Sequence, residues 1–177
     1  LSDKMQQLIR HDKTTLKWAE NITHLGEGSI QAGISGVMLG SGLLFHDQKL
    51  KETGLLSAEA LIHASLFVTV FKYALGRERP AAGNHNGDFK WLDAAIHSTN
   101  HNSCPSGHTT STWAMATVIA SQYKETIWVP VLCYTTATAV GLSRVALQKH
   151  WPGDVVAGAF LGYGLGKATI YMHRQHC

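Results

Sequence analysis

Residues 143–154 read SRVALQKHWPGD, and three side chains in this stretch can work together. Arg144 carries a permanent positive charge on a planar fork of donors, suited to a phosphate or a carboxylate. His150 can serve as a nucleophile or a base near neutral pH. Pro152 fits the first position of a helix, where its missing N–H has no partner to lose. Asp154 then falls in the first turn of that helix. From there its carboxylate can reach back to one ring nitrogen of His150, fixing the tautomer and stabilising the charged ring. The alternative is a plain joint between two helices, with Arg144 paired to Asp154 and His150 capping a helix end.

Two stretches upstream bear on that choice. Residues 72–80 read KYALGRERP and residues 105–108 read PSGH. Lys72, Arg79 and Arg144 are cationic at any ordinary pH, and each Arg can grip two phosphate oxygens. The spacing selects Arg79 over its neighbour Arg77 as the partner of Lys72. Ser106 and Gly107 sit where a loop becomes a helix, so free backbone N–H groups and the positive end of the helix dipole face outward, a natural anion site. Gly107 admits a phosphate close to the backbone. His108 follows directly, placed to protonate a leaving oxygen. Read separately, each has a plainer role: a solvated helix end for Lys72, a loop ion pair with Glu78 or Asp88 for Arg79, simple capping for Ser106, a structural ring for His108.

Taken together, Lys72, Arg79-Pro80, Pro105-Ser106-Gly107-His108, Ser143-Arg144, His150 and Asp154 resemble the signature of the type 2 phosphatidic acid phosphatase superfamily at all eleven of its positions. That group also holds bacterial acid phosphatases, glucose-6-phosphatase-like enzymes and vanadium haloperoxidases. The resemblance runs from residue 72 to residue 154 and implies an all-α helical bundle. It implies that His150 attacks phosphorus to give a phosphohistidine and that Asp154 orients it. It implies that His108 protonates the leaving group and then activates water. Lys72, Arg79, Arg144, Ser106 and Gly107 would bind the phosphoryl group, and Ser143 would act as a local hydrogen-bonding residue. No metal and no cofactor are implied. A vanadate-dependent haloperoxidase is one alternative on the same cradle, and His101, five residues before Ser106, is similar to a His of the bromoperoxidases. A non-catalytic phosphate or phospholipid binder is the other.

Composition sets outer bounds. A length of 177 residues suits a single domain, residues 1–177, and a net charge of +3 without a basic run is too mild to argue for nucleic acid, so no nucleic-acid partner is expected. Eleven histidines are scattered without zinc-ligand spacing. The three cysteines, Cys104, Cys133 and Cys177, read as idle thiols, with a Cys104–Cys133 disulfide as an open alternative. Oligomeric state is not legible. The partner is a phosphorylated small molecule or a lipid phosphate, and contact with a membrane surface is compatible with the latter.

The expected elements are about six helices, over 2–20, 30–45, 54–75, 107–123, 126–147 and 152–173, with no strand. The stretch 54–75 is apolar nearly all round and reads as a buried central helix. The long segment 81–103 reads as a partly structured wall or lid. Spanning a bilayer takes about 20 mostly apolar residues. Residues 29–45 are short and rich in Gly and Ser, 55–71 contain Glu59 and His63, and 126–143 carry four Thr and Pro130. Gly158, Gly162 and Gly166 form a ladder of small residues that allows close helix packing in a membrane or in a soluble core. The expectation is a soluble domain, periplasmic or secreted after removal of a signal peptide, with integral membrane insertion as the lesser alternative.

Overall fold

A computed structural model of the chain describes residues 13–82, 87–92 and 101–176. Six α-helices carry it: α1 Lys13–Thr23, α2 Gly28–Leu44, α3 Gln48–Leu75, α4 Gly107–Gln122, α5 Trp128–Ala146 and α6 Pro152–His176. Short 3₁₀ turns follow α1 at His24–Gly26 and sit at Pro80–Ala82. Among the described residues the sole β pairing is an isolated bridge between Arg77 and Phe89. The fold is all-α, as expected. Of the helix expected over 2–20, residues 2–12 lie outside the described residues, as do 83–86 and 93–100 of the expected lid.

Local chemistry sets the boundaries. Asp47 caps α3, its carboxylate accepting from the Leu50 N–H at 3.0 Å, so this helix starts six residues before the apolar run suggested. Gly76, at φ 52°, ends it in the left-handed conformation. Pro152 opens α6 and sets Asp154 in its first turn.

The buried centre is α4, not α3. Thr109, Thr110, Thr112, Ala114, Met115, Ala116, Thr117, Val118 and Ala120 are all buried. α3, α5 and α6 pack around it, closing a core of Leu56, Ala60, Ala64, Ala114, Val118 and Ile170. The glycine ladder of α6 lies against α4. A Cβ on Gly158 would sit 2.9 Å from the Ser106 carbonyl, and one on Gly166 would sit 2.7 Å from that of Ala114. At Gly162 it would overlap the Thr110 carbonyl. The two backbones are therefore closer than any side chain allows.

The expectation of a soluble, periplasmic or secreted domain is overturned. α3, α5 and residues 152–175 of α6 are each long and apolar enough to cross a membrane. At 28, 19 and 24 residues they span about 42, 28 and 36 Å, against about 30 Å of hydrocarbon. Their outer faces are apolar: Ile62, Leu66, Val70, Leu132, Leu142, Val156 and Phe160 are all exposed. An apolar surface of that extent belongs in lipid, and the chain is an integral membrane protein. The all-round hydrophobicity of α3 thus has one face for α4 and one for acyl chains.

Part of the polar character of these helices, including Thr138, His63 and Glu59 that argued against spanning, is answered within the bundle. Hydroxyls of Thr53, Thr69, Thr117, Thr138 and Thr169 each donate to the carbonyl four residues back, at 2.6–2.9 Å. His63 bonds Thr169 at 2.9 Å, and Glu59 faces His173 at 4.0 Å, both across the α3–α6 contact. Polar groups answered in this way cost little in hydrocarbon.

Candidate active site

Alternating helix directions bring four helix ends to one side of the bundle. Lys72 lies near the end of α3, Gly107 and His108 open α4, Arg144 lies near the end of α5, and His150 precedes α6. A Cβ added to Gly107 would lie 3.7 Å from Lys72 Nζ, so the ammonium stands directly over the start of α4. Arg79 Nε donates to Asn102 Oδ1 at 2.8 Å. Arg144 Nη1 donates to Thr23 Oγ1 at 2.6 Å, tying α5 to the end of α1, while its buried Nε has no partner among the described residues. A buried guanidinium N–H without an acceptor suits an anion at this point.

Ser106 is fully buried and departs from expectation. Its N–H donates to the Asp154 carbonyl at 3.1 Å, and its hydroxyl accepts from Thr109 Oγ1 at 2.9 Å. The N–H groups of Gly107 and His108 are among the donors at the start of α4 that the helix itself does not use. Ser143 donates to the Val140 carbonyl at 2.6 Å, a local bond within α5.

His150 is 3% exposed, and its Nδ1 lies 2.7 Å from the Ser103 carbonyl. A carbonyl only accepts, so Nδ1 carries the proton and Nε2 keeps its lone pair. Asp154 does not make this bond. Its Oδ2 is 3.9 Å from Nδ1, beyond hydrogen-bond range. Instead Oδ2 accepts from the Ser103 hydroxyl and from the Trp151 N–H at 3.0 Å, and Oδ1 accepts from Arg77 Nη1 at 2.6 Å. The expected direct Asp154–His150 contact is thus replaced by one that runs through Ser103, because the main chain at Ser103 reaches Nδ1 first. Asp154 pairs with Arg77 and not with Arg144, which removes the plain-joint alternative. Arg77 and Ser103 were passed over in the sequence. Ser103 acts on His150 through its backbone, which leaves no mark in side-chain spacing.

Burial above all holds His150 below the ordinary imidazole range; the Asp154 carboxylate opposes this, and the charges of Lys72, Arg144 and Arg79 add to it. The ring is therefore neutral near pH 7. Burial, with the charges of Arg144, His150 and Lys72, pushes His108 down to about 4, against an opposing pull from Glu27. The His108 ring rests on Gly26, the last residue of the 3₁₀ turn. Cys104 and Cys133 are free thiols, so the disulfide alternative fails. Burial first, and then Asp154, raises the Cys104 thiol to about 11, which leaves it inert.

A groove of about 830 Å³ leads away from Gly107 and His108 between α2 and α3. Its walls include Ala32, Leu39, Leu61, Ala64 and Val68, and Gly36, Ile62 and Ser65 on its rim are exposed.

The PAP2 superfamily model matches residues 53–176. The chain belongs to that superfamily. It is 35% identical over 106 residues to a lipid A 1-phosphatase of Porphyromonas gingivalis, covering 59% of this chain and 20% of the relative. It is 31% identical over 159 residues to a lipid A 1-phosphatase of Rhizobium johnstonii, covering 80% of this chain and 64% of the relative. The chain thus spans less than two thirds of either relative. Its fold is similar to the crystal structure of the first transmembrane PAP2 type phosphatidylglycerolphosphate phosphatase from Bacillus subtilis, with a TM-score of 0.74 at 23% identity over 98% of this chain and 85% of the other.

Proposed function

We propose that this chain is an enzyme, a phosphoric ester hydrolase that removes phosphate from lipid phosphates through a phosphohistidine at His150. One observation carries the choice of a lipid: the apolar groove that begins at His108 and opens on the flank of a membrane-embedded bundle. Gln31, Ser35, Ser65, Thr69 and Ser111 also border it, but aliphatic and small residues such as Ala32, Leu39, Leu61, Ala64 and Val68 make up most of its wall. The lipid A 1-phosphatase names of two relatives support the same class of substrate.

The phosphoryl group sits among Lys72, Arg79, Arg144 and the N–H groups of Gly107 and His108, which neutralise its oxygens. Nε2 of His150 attacks phosphorus, the bond to the leaving oxygen breaks, and His108 gives that oxygen a proton. Water then yields a proton to His108 and attacks phosphorus. The P–N bond breaks, phosphate leaves, and His150 regains its neutral form. His108 is neutral in the empty site, and the negative charge of the bound phosphate draws its proton back.

The test is a panel of esters in nanodiscs, phosphatidic acid and a prenyl diphosphate against glucose 6-phosphate, run on the wild type and Gly36→Trp. Gly36 faces open space, so a large side chain fits without clash and fills the groove. Losing contact with two methylenes costs about 1.6 kcal/mol, more than tenfold in binding. KM for the lipids should rise at least that much, with para-nitrophenyl phosphate unaffected. Better turnover of glucose 6-phosphate than of any lipid phosphate would overturn the reading.

A further inference from the structure

We propose that Arg77, outside the phosphate cradle, is a positioning residue that sets the tautomer and aim of His150 through Asp154 and Ser103. The proposal rests on His150 being the nucleophile. Arg77 holds Ser103 from two directions. Its carbonyl accepts from the Ser103 N–H at 2.9 Å. Its guanidinium binds Asp154 at 2.6 Å, and the other oxygen of Asp154 takes the Ser103 hydroxyl. What Ser103 has left is its carbonyl, and that is the atom on His150 Nδ1.

The guanidinium is itself fixed. It packs between the ring of Phe89, 4.9 Å from the centroid, and that of Trp151 at 5.7 Å. Trp151 is anchored in turn by its indole N–H on the Glu78 carbonyl at 2.8 Å. Arg77 thus fastens the loop after α3 to the start of α6 over a fully buried carboxylate. A cation that holds phosphate keeps its donors for it; here Nη1 is taken by Asp154 and Nε points to the Gly87 carbonyl at 3.4 Å.

The charges around His150 come from every element packed on it: Lys72 of α3, His108 of α4, Arg144 of α5, Asp154 of α6, and Arg79 on the α3–α4 connection. Asp154 is the one anion in that set, and Arg77 neutralises it from behind. Without Arg77 the full carboxylate charge stands 3.9 Å from Nδ1 and favours the imidazolium. A protonated His150 cannot attack. The residue would then lose activity on the acid side at higher pH than the wild type does.

The experiment compares Arg77→Met, Arg77→Lys and wild type in detergent micelles, by rapid quench and by the pH profile of kcat/KM on para-nitrophenyl phosphate. Loss of a charge-assisted hydrogen bond of this kind costs roughly 10- to 100-fold. Arg77→Met should slow phosphoenzyme formation by that factor, leave KM within about threefold, and move the acid limb upward. Arg77→Lys should restore the acid limb and part of the rate; it also decides the matter if the Met variant does not fold. A rise in KM with an unmoved acid limb would make Arg77 a phosphate ligand and overturn the proposal, as would wild-type kinetics in Arg77→Met. A wild type that traps no phosphohistidine would instead overturn the nucleophile reading, and this proposal with it.

Discussion

Replacing Gly26 by Ala tests the aim of His108 with a single methyl group. The added Cβ would sit 2.8 Å from Val140 Cγ1 and 2.9 Å from both Cβ and Cδ2 of His108. Carbon atoms pack at about 3.5–4.0 Å, so something must retreat by about 1 Å. Val140 is fully buried in α5 and has nowhere to go. The His108 ring borders the groove and has room. A displacement of about 1 Å at a reacting group can cost about 100-fold, and overpacking removes roughly 1–3 kcal/mol of stability. The assay is single-turnover phosphorylation with an alkyl phosphate and with para-nitrophenyl phosphate, alongside thermal melting in detergent. Nitrophenolate departs without a proton, so the alkyl ester should lose about 100-fold and the nitrophenyl ester far less. Gly33→Ala, which meets open space, serves as the silent control. Equal losses on both esters would refute the reasoning, because the fault would then lie in the nucleophile or the cradle and not in the acid.

Three further outcomes follow from the same site. His150→Ala should abolish turnover and the acid-labile phosphoenzyme while the variant still inserts and melts as the wild type does; residual turnover above about one part in a thousand would sink the nucleophile assignment. EDTA should leave the rate unchanged and orthovanadate should inhibit, as Lys72, Arg79 and Arg144 already supply the charge; a loss in EDTA restored by zinc or magnesium would overturn that. Because His108 sits at about 4 in the empty site, its proton is lost early as pH rises, and bound phosphate should raise it again. The basic limb of kcat should therefore lie at higher pH than that of kcat/KM, and coincident limbs would count against it.

Where the sequence was legible, the reason is local. Pro152 starts α6 and Pro80 lies past the end of α3, so backbone chemistry alone places Lys72, His150 and Asp154 near helix ends. The glycine ladder marked a close contact, and it meets α4. The membrane was misread because hydropathy counts every Thr hydroxyl as a cost, whereas that of Thr138 is returned to its own helix at the Tyr134 carbonyl. The same error made α3 look like the centre of a soluble core: lipid and protein interior reward the same side chains, and only the position of α4 separates the two faces. The hydrogen bond to His150 was out of reach for a different reason. It comes from a carbonyl, which every residue has, and it is held by Arg77, a charge the motif spacing sets aside.

The groove between α2 and α3 also changes what concentration means for this protein. On the proposed function a lipid that reaches His108 along it never leaves the bilayer, so the encounter rate should follow the mole fraction of substrate in the leaflet and not its amount per litre. Adding inert phospholipid at constant substrate should slow the reaction as dilution does in water. The two products part at the site. On the same reading the dephosphorylated lipid would diffuse back in two dimensions, and the phosphate ion would leave in three.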